Sequence, residues 1–329
     1  MFKLLSILAD CKPYSYENLT ALLDLTKEQL EERIAQLRQQ GIFIVIDEQN
    51  ISLKPQLPLL NLSYLATKLS PYKIYYHPII NSTNQYLMEN ILQLKKGDLC
   101  FTEYQFAGRG RRGREWQSPF AGQLMVSFYW TFNPTVSLNG LSSVLGLATA
   151  EVLNEMGAGV KLKWPNDLLL FGRKLAGILV EIVNAKNGLL NFIVGIGINL
   201  SLPQENKIDQ PWAELLETLP EIDRNDLAIQ LVKKWYQYLT IFEQQGMHAF
   251  FQRWIKLDYF FGQEVNIISE KEIVCGIEQG IDEEGYLLVA LNNGVLRKFN
   301  GGEVSLRKKS KKCGIKLRIA SEENILLSE

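Results

Sequence analysis

The run Lys161-Leu162-Lys163-Trp164-Pro165-Asn166-Asp167-Leu168-Leu169-Leu170-Phe171-Gly172-Arg173-Lys174-Leu175 contains two short turns between apolar, strand-like segments. The first turn is Pro165-Asn166-Asp167, and the second is Phe171-Gly172-Arg173-Lys174. Turns this short join neighbouring antiparallel strands, because parallel strands need a much longer crossover. The run therefore predicts a largely antiparallel sheet and an α+β fold, and it argues against a doubly wound nucleotide-binding fold.

The centre of the chain alternates between strand and helix patterns on both sides of this run. Strand candidates are Leu99 to Tyr104, Gln123 to Thr131, Val160 to Trp164, Leu168 to Phe171, Leu175 to Val183 and Leu190 to Ile198. Helices are predicted after Ser82-Thr83-Asn84, from Asn139 to Met156 and from Asp226 to Glu243, where apolar residues recur at helical spacing. We predict a central mixed sheet with helices over residues 67–262.

The two ends of the chain show different patterns. Residues 1–60 predict three short helices and a hairpin, with Ser15 as a helix cap and Thr26 with Gln29 as a capping box. This is the outline of a winged helix-turn-helix domain. Residues 263–308 predict short strands separated by turns at Asp282 to Gly285 and Asn292 to Gly294, which is typical of a small SH3-like β-barrel. Residues 309–329 are predicted to be a lysine-rich tail.

Composition excludes several classes of function. The 329 residues carry a formal net charge of -1, which excludes a uniformly basic nucleic-acid binder but leaves room for a local basic patch. With only 2 histidines and 4 cysteines, none in a Cys-x-x-Cys pair, neither a histidine-rich metal centre nor a disulfide framework is predicted. No apolar stretch approaches the ~20 residues that span a bilayer. We therefore expect a cytoplasmic protein without a membrane segment or a metal site of its own.

The densest unusual segment is Gly108-Arg109-Gly110-Arg111-Arg112-Gly113-Arg114-Glu115-Trp116. Its glycines let backbone amides approach an anion, and its guanidinium groups can hold carboxylate or phosphate oxygens. It is not a Walker loop, because no Gly-Lys-Ser/Thr follows. The segment predicts a flexible loop that closes over a phosphorylated species. The alternatives are an arginine-glycine segment that binds RNA and a solvated loop.

Polar residues also collect at predicted strand ends. Asn166 and Asp167 lie between two strands, Lys174 begins the next strand, and Asn199 ends the strand that contains Gly195-Ile196-Gly197-Ile198. A carboxylate substrate, a triphosphate and Mg²⁺ would need such groups: cations for the negative charges, and amides or carboxylates for the metal and the sugar. Taken singly, Asn166 and Asp167 are also ordinary turn residues, and Lys174 is an ordinary surface lysine at a hairpin tip.

Taken together, these motifs resemble those of the bifunctional biotin protein ligases, whose N-terminal domain also represses biotin-synthesis genes. The resemblance extends from the first helix to about Arg307. The motifs that carry it are Ser82-Thr83-Asn84, the loop Gly108 to Trp116, Lys163-Trp164-Pro165-Asn166-Asp167, Lys174-Leu175-Ala176-Gly177-Ile178-Leu179 and Gly197-Ile198-Asn199. Members of this family join biotin to ATP as biotinyl-5'-adenylate and then transfer biotin to a lysine of biotin carboxyl carrier protein.

The resemblance implies a biotin-[acetyl-CoA-carboxylase] ligase that uses Mg²⁺, with these roles for individual residues. Biotin is contacted by Ser82, Thr83, Asn84, Gln105, Arg109, Gly110, Arg111 and Lys174. ATP and the adenylate are contacted by Arg109, Arg111, Trp116, Asn166, Asp167, Lys174 and Asn199. Catalysis rests on Lys174, Arg109, Arg111 and Asp167, with Asp167 as a candidate base for transfer. Trp212 is either part of an adenine-covering loop or ordinary packing.

Charge in the N-terminal region opposes DNA binding. In the presumed recognition helix Glu28, Glu31 and Glu32 offset Lys27, Arg33 and Arg38, and the wing turn Asp47-Glu48-Gln49-Asn50 is acidic. Attraction to phosphate supplies much of the affinity for DNA. Two functions for this domain therefore stay open: it binds operator DNA, or it stabilises the enzyme or binds another partner. The family resemblance also implies a homodimer, formed with ligand through sheet edges.

Two alternatives for the whole protein remain open at this stage. Lipoate and octanoate ligases or transferases share the fold of the biotin ligases, although the arginine-rich loop favours biotin. A non-enzymatic DNA-binding repressor is the alternative from another class of protein, but it leaves the central motifs without a role.

Overall fold

A computed structural model describes residues 2–10, 12–39, 41–47, 50–54, 57–183, 188–203, 211–269, 272–302 and 304–308. The chain divides into two compact units, Met1–Tyr259 with Glu283–Gly285 and Phe260–Asp282 with Tyr286–Glu329. The predicted tail and the middle of the acidic turn at 47–50 lie outside the described residues. Within the described ranges, no helix combines the length and the apolar character needed to cross a membrane.

The N-terminal elements match the predicted three helices and hairpin. They are α1 (Phe2–Leu8), β1 (Tyr14–Ser15), α2 (Tyr16–Leu23), α3 (Lys27–Gln39), β2 (Phe43–Asp47) and β3 (Asn50–Lys54), with strand order β1-β3-β2. Ser15 caps α2 by accepting the Asn18 N–H at 3.1 Å. Thr26 and Gln29 exchange hydrogen bonds of 3.0 and 3.3 Å, which confirms the predicted capping box. Winged helix-turn-helix is a finer assignment that stays a prediction.

A seven-stranded mixed sheet forms the centre of the first unit. Its elements are α4 (Leu62–Lys68), β4 (Ile74–Ile80), α5 (Thr83–Glu89), β5 (Leu99–Gln105), β6 (Gln123–Phe132), α6 (Leu141–Glu155), β7 (Lys161–Lys163), β8 (Asp167–Leu170), β9 (Arg173–Val183), β10 (Leu190–Asn199), α7 (Arg224–Gln245) and α8 (Phe251–Leu257). The strand order is β4-β5-β6-β10-β9-β8-β7. Only β4 and β5 are parallel, so the predicted α+β class with a mostly antiparallel sheet is correct.

The strand-to-strand turn at Phe171-Gly172 has the conformation that a tight hairpin needs. Phe171 and Gly172 both have positive φ, 52° and 72°, so the turn is of the kind that matches the twist of its two strands. It joins β8 directly to β9 and pairs Leu170 with Arg173. A register shift between Leu168 and Leu169 then places Asp167, at the start of β8, opposite Gly177 on β9.

Strand β4 was not predicted from the sequence. Its sequence Ile74-Tyr75-Tyr76-His77-Pro78-Ile79-Ile80 contains a proline, which cannot donate a hydrogen bond to a neighbouring strand. The strand nevertheless forms because β4 is the edge of the sheet and pairs only with β5. An edge position tolerates proline.

The second unit contains β11 (Glu264–Ile268), β12 (Ile273–Ile281), β13 (Leu287–Leu291), β14 (Leu296–Phe299) and β15 (Ser305–Lys308). These strands form one antiparallel sheet in the order β14-β13-β12-β11-β15. Val265, Ile267, Leu287, Val289 and Leu306 are buried. The predicted short strands are therefore present, while closure into an SH3-like barrel stays a prediction.

A buried ion pair fixes the segment that follows the N-terminal elements. Arg224, at the start of α7, and Glu103, on β5, pair at 2.7 Å with side chains only 3% and 0% exposed. Glu103 also accepts the Leu60 N–H at 2.8 Å, and Arg224 donates to the Pro58 carbonyl at 2.7 Å. A further donation from Arg224 to the Gln123 carbonyl, at 2.9 Å, extends the cluster to β6.

We expect Glu103→Gln to destabilise the first unit strongly, because it leaves the Arg224 charge buried without its anion. Breaking a buried pair costs about 3–5 kcal/mol. The matched control is Glu243→Gln, which removes an exposed pair with Lys96 and should cost less than about 1 kcal/mol. Urea unfolding of both variants measures this difference. Equal shifts of the unfolding midpoint would contradict the assignment.

Candidate functional site

Strand register brings the predicted polar residues to one region of the central sheet. Asn199, the last residue of β10, lies opposite Gln123, the first residue of β6. Gly197 on β10 lies opposite Gly177 on β9, which in turn lies opposite Asp167 on β8. Because these pairs are neighbours across the sheet, side chains distant in sequence meet at the same place.

The motif Ser82-Thr83-Asn84 begins helix α5 and forms a buried polar cluster. Ser82 is the N-cap residue of α5. Thr83 donates its backbone N–H to the Gln105 Oε1 at 2.8 Å, and its hydroxyl lies 3.1 Å from the same oxygen. The Ser127 hydroxyl on β6 lies 2.6 Å from the Thr83 hydroxyl and 2.5 Å from the Asn84 Oδ1. The structure therefore brings together all four residues that the resemblance implies around a biotin ring.

The arginine-rich segment folds into a compact loop. The Trp116 N–H donates to the Gly108 carbonyl at 2.9 Å, and the Gly110 N–H donates to the Arg114 carbonyl at 2.7 Å. Arg112 and Gly113 turn the chain with φ values of 58° and 69°. These backbone hydrogen bonds close the loop at its base and do not involve the side chains of its arginines.

Arg109 and Arg111 tie this loop to strand β9 and to the turn between β7 and β8. Arg109 donates to the Glu181 carboxylate on β9 at 2.9 Å. Arg111 donates to the Asn166 Oδ1 at 2.9 Å. Burial lowers the pKa of the Arg111 guanidinium, and the nearby Asp167 carboxylate opposes that shift. The loop thus lies over the sheet region that carries Asp167 and Lys174.

Trp116 anchors the end of the loop on a pair of glycines. A Cβ atom on Gly197 would lie 2.7 Å from the Trp116 ring, and one on Gly177 would lie 3.1 Å from it. The indole N–H donates to the Gln123 Oε1 at 3.1 Å, and the Lys174 Nζ lies 5.3 Å from the ring centroid. A side chain on Gly197 would overlap the indole, and one on Gly177 would press against it, so glycine at both positions leaves room for the ring.

Two lysines share the Asp167 carboxylate. Lys174 Nζ lies 2.8 Å from one oxygen, and Lys163 Nζ lies 3.2 Å from the other. Burial raises the pKa of the Asp167 carboxyl, but the charges and hydrogen bonds of Lys174 and Lys163 outweigh burial and hold that pKa below its ordinary value. Asp167 is therefore a carboxylate at neutral pH that orients two ammonium groups.

Asn199 is buried and engaged with backbone groups. Its Nδ2 lies 3.3 Å from the Lys174 carbonyl and 3.2 Å from the Ala213 carbonyl, while its Oδ1 accepts from Gln123 at 2.8 Å. Ala213 also donates its N–H to the Lys174 carbonyl at 2.9 Å. In this structure Asn199 thus supports the backbone around Lys174. Trp212, the neighbour of Ala213, bridges to Lys174 through the backbone.

Three residues of this region had no predicted role. Glu181 contacts both Asn84 and Arg109, Ser127 joins Thr83 to Asn84, and Gln123 joins Trp116 to Asn199. Ser127 and Gln123 are polar residues of β6, a strand in which every residue is buried. Because a buried polar side chain needs a hydrogen-bond partner, their presence in an apolar strand was an available signal.

The arrangement suits a substrate that carries a negative charge at one end and a polar, uncharged group at the other. Lys163, Lys174, Arg109 and Arg111 supply positive charge, and the cluster around Ser127 supplies hydrogen-bond donors and acceptors. Cationic groups held in place before the reaction stabilise charge that develops on carboxylate or phosphate oxygens. The geometry therefore fits a reaction between a carboxylate and a phosphoryl group.

Comparison with known proteins gives matches in both compact units. The model of the biotin/lipoate A/B protein ligase family matches residues 76–199, and the model of the biotin protein ligase C terminal domain matches residues 260–307. The bifunctional ligase/repressor BirA of Escherichia coli strain K12 is 39% identical over 315 residues, covering 94% of this chain and 98% of that protein. BirA of Salmonella typhimurium strain LT2 is 40% identical over 310 residues, covering 92% and 96%.

A solved structure has the same fold. Biotin protein ligase from Aquifex aeolicus in complex with biotin and ATP matches with a TM-score of 0.63 and 30% sequence identity, covering 72% of this chain and 99% of that chain. The sequence resemblance, the family models and the near full-length relatives agree with one another. The chain therefore belongs to the biotin protein ligase family.

Proposed function

We propose that this protein is an ATP-dependent biotin-[acetyl-CoA-carboxylase] ligase. It forms biotinyl-5'-adenylate and transfers biotin to a lysine of biotin carboxyl carrier protein. The observation that carries the proposal is the pairing of Lys174 and Lys163 on Asp167 beneath a loop whose arginines reach Asn166 and Glu181. Support comes from the Aquifex aeolicus relative, which was solved in complex with biotin and ATP.

In the first step, an oxygen of the biotin carboxylate attacks the α-phosphate of ATP. A carboxylate–phosphate anhydride forms, the α–β phosphate bond breaks, and pyrophosphate leaves. The carboxylate is already ionised at neutral pH, so this step needs no general base. The work of the protein is to align the two anions and offset their repulsion. We assign this role to Lys174, and closure of the site from the loop side to Arg109 and Arg111.

In the second step, the acceptor lysine amine attacks the activated carbonyl carbon, an amide forms, and AMP leaves. The amine must lose a proton. The pKa of Asp167, lowered by its two lysines, makes this carboxylate a weak base. We therefore assign Asp167 to the positioning of Lys174, and not to proton removal.

Mg²⁺ is expected to enter with the nucleotide. Within the described residues, no group of three or more His, Cys, Asp or Glu side chains is arranged to hold a metal ion. Asp167 is already paired with two lysines. Mg²⁺ commonly binds through substrate phosphates and water, and there it would neutralise phosphate charge. Asn166, whose amide oxygen accepts from Arg111 in this structure, is the residue that we assign to contact with the nucleotide and its metal.

The polar cluster favours biotin over lipoate as the substrate. Thr83, Asn84, Gln105 and Ser127 form a buried set of hydrogen-bonding groups. The ureido ring of biotin can exchange hydrogen bonds with such groups, whereas the dithiolane ring of lipoate would cover them without offering a hydrogen bond in return. A lipoate or octanoate enzyme therefore fits this site less well.

Domain boundaries and location complete the proposal. We assign residues 1–60 to a winged helix-turn-helix domain, 67–262 to the catalytic domain and 263–308 to an SH3-like domain, with 309–329 as a tail. Location in the cytoplasm and formation of a homodimer when ligand is bound stay predictions.

A biotin-responsive repressor is a second candidate function for the N-terminal residues. It is supported by the names of the two BirA relatives and by the helices α1–α3 followed by a hairpin. The charge of α3 opposes it, because Glu28, Glu31 and Glu32 are exposed while Arg38 donates to the Ile44 carbonyl at 2.7 and 3.0 Å. The same elements also share a core with Phe120 and Ala121, which supports a stabilising role.

The ligase proposal is tested by incubating the full chain with ATP, Mg²⁺ and biotin or lipoate, and then with a carrier domain. Mass spectrometry should detect a biotinyl adduct on the carrier. Lys174→Ala should slow pyrophosphate release by about 100- to 1,000-fold, as for removal of one group that stabilises transition-state charge. Lys161→Ala, at an exposed lysine of the same sheet, is the control and should retain activity. Absence of a biotinyl adduct would refute the ligase proposal, and rapid pyrophosphate release by Lys174→Ala would refute the role assigned to Lys174.

The role of Asp167 is tested by the pH dependence of transfer. Its folded pKa is lowered, so it stays ionised at every pH above the ordinary aspartate range and loses its charge only as the pH falls through that lowered value. Asp167→Asn should therefore reduce transfer from preformed adenylate by a similar factor between about pH 6 and pH 9. A pH limb near neutrality that disappears in Asp167→Asn would identify Asp167 as the base instead.

DNA binding is tested with the control region of the biotin operon. We expect biotin and ATP to increase binding, with affinity that falls as salt rises. Glu31→Gln with Glu32→Gln should strengthen binding, because both carboxylates are exposed on α3. Binding that is insensitive to biotin, ATP and these substitutions would reject the repressor candidate.

A further inference from the structure

Glu181 joins the buried ring cluster to the arginine-rich loop. Its Oε2 accepts from the Asn84 Nδ2 at 2.7 Å and from the Arg109 Nη2 at 2.9 Å. Asn84 belongs to the start of α5, and Arg109 belongs to the loop. A single carboxylate oxygen on β9 therefore contacts one residue from each part of the site.

The Asn84 side chain is held from both sides. Its Oδ1 lies 2.5 Å from the Ser127 hydroxyl, while its Nδ2 donates to Glu181. Gly195 on β10 leaves space for this amide, since a Cβ atom there would lie 2.3 Å from the Asn84 Oδ1. Because Asn84 is buried, with 3% of its surface exposed, these contacts fix which end of the amide faces which neighbour.

The Arg109 side chain has more freedom. The side chains of Arg109 and Glu181 are 37% and 25% exposed, and the second contact of Arg109 is a weak one to the Met88 sulfur at 3.9 Å. A partly exposed ion pair is weakened by salt and can open without great cost. The contact with Glu181 is thus a reversible attachment of the loop to the sheet.

We propose that Glu181 is a positioning residue that orients Asn84 for the ring of the substrate and holds the loop closed through Arg109. The inference rests on the proposed ligase function and deepens it. Closure by Glu181 slows the escape of biotinyl-5'-adenylate before a carrier arrives. Through Asn84, the same carboxylate keeps the ring pocket in its binding arrangement.

Two substitutions separate the two contacts. Glu181→Gln keeps an oxygen that accepts from Asn84 but removes the charge that attracts Arg109. It should increase the rate of adenylate release by about 2- to 5-fold, the range for a partly exposed ion pair, with little change in the KM for biotin. Glu181→Leu removes both contacts, so the KM for biotin should rise as well. Release is measured on the full chain by chasing preformed labelled adenylate with excess unlabelled biotin and ATP.

Ionic strength and a double substitution distinguish this role from a general structural one. Adenylate release from the unmodified protein should accelerate as salt rises, and Glu181→Gln should remove most of that dependence. Adding Glu181→Gln to Arg109→Gln should cause no further acceleration, because the partner is already absent. Glu243→Gln is the control, because it removes a different exposed ion pair, the one with Lys96. It should leave the rate of adenylate release and its salt dependence unchanged.

Failure of this inference differs from failure of the ligase proposal. If the unmodified protein forms no adenylate, the ligase proposal is wrong and the inference falls with it. If adenylate forms and Glu181→Gln retains it as long as the unmodified protein does, only the role of Glu181 is refuted. Equal acceleration by Glu181→Gln in the presence and absence of Arg109 would also refute it, since the effect would not pass through the loop.

Discussion

The close approach of like-charged side chains is the constraint on which the rest of the site depends. Lys163 and Lys174 would repel each other, and the Asp167 carboxylate between them makes their approach favourable. Burial alone would favour the neutral acid, so the lowered pKa of Asp167 shows that the two ammonium groups dominate its surroundings. Positive charge is thus ordered before an anionic substrate arrives.

The carboxylates of the site fall into two classes. Asp167 is 15% exposed and pairs with two lysines of the sheet, whereas Glu181 is 25% exposed and pairs with one arginine of the loop. Water and salt screen the second pairing more than the first. The sheet half of the site is therefore fixed, and the loop half can exchange its partner. A ligase that must first retain an adenylate and then release it to a carrier needs both properties.

Glycines on neighbouring strands make these contacts possible. Gly177 and Gly197 accept the Trp116 ring, and Gly195 accepts the Asn84 amide. A Cβ atom on Gly197 would overlap the Trp116 ring, and one on Gly177 or Gly195 would force the Trp116 ring or the Asn84 amide to shift. Because Trp116 ends the arginine-rich loop and Asn84 lies at the start of α5, these glycines set how closely the loop and the helix approach β9 and β10.

The sequence was sufficient to predict the elements that local signals define. Capping residues marked α2 and α3, the Phe171-Gly172 turn marked an antiparallel pair, and the arginine and glycine content marked the loop. The sequence could not show which strands and side chains lie beside each other in the folded protein. Strand β4 contains a proline that only an edge position tolerates. Glu181 resembles any solvent-facing glutamate of a strand until Asn84 and Arg109 are placed beside it.

The N-terminal elements and the loop are coupled through shared packing, which bears on what that region does. Phe120 and Ala121, which follow the loop, are buried in the same apolar cluster as Leu30, Ile34 and Leu53. Gln123, two residues after Ala121, binds Trp116 through its side chain and accepts from Arg224 through its carbonyl. Arg224 in turn holds the Pro58 carbonyl. These contacts join the N-terminal elements to the chain at the end of the arginine-rich loop, which supports a stabilising role for the N-terminal elements. Such a role does not exclude DNA binding by the same elements. The N-terminal core and Trp116 are thus joined by one stretch of chain, in which Phe120 and Ala121 pack into the core and Gln123 binds the indole.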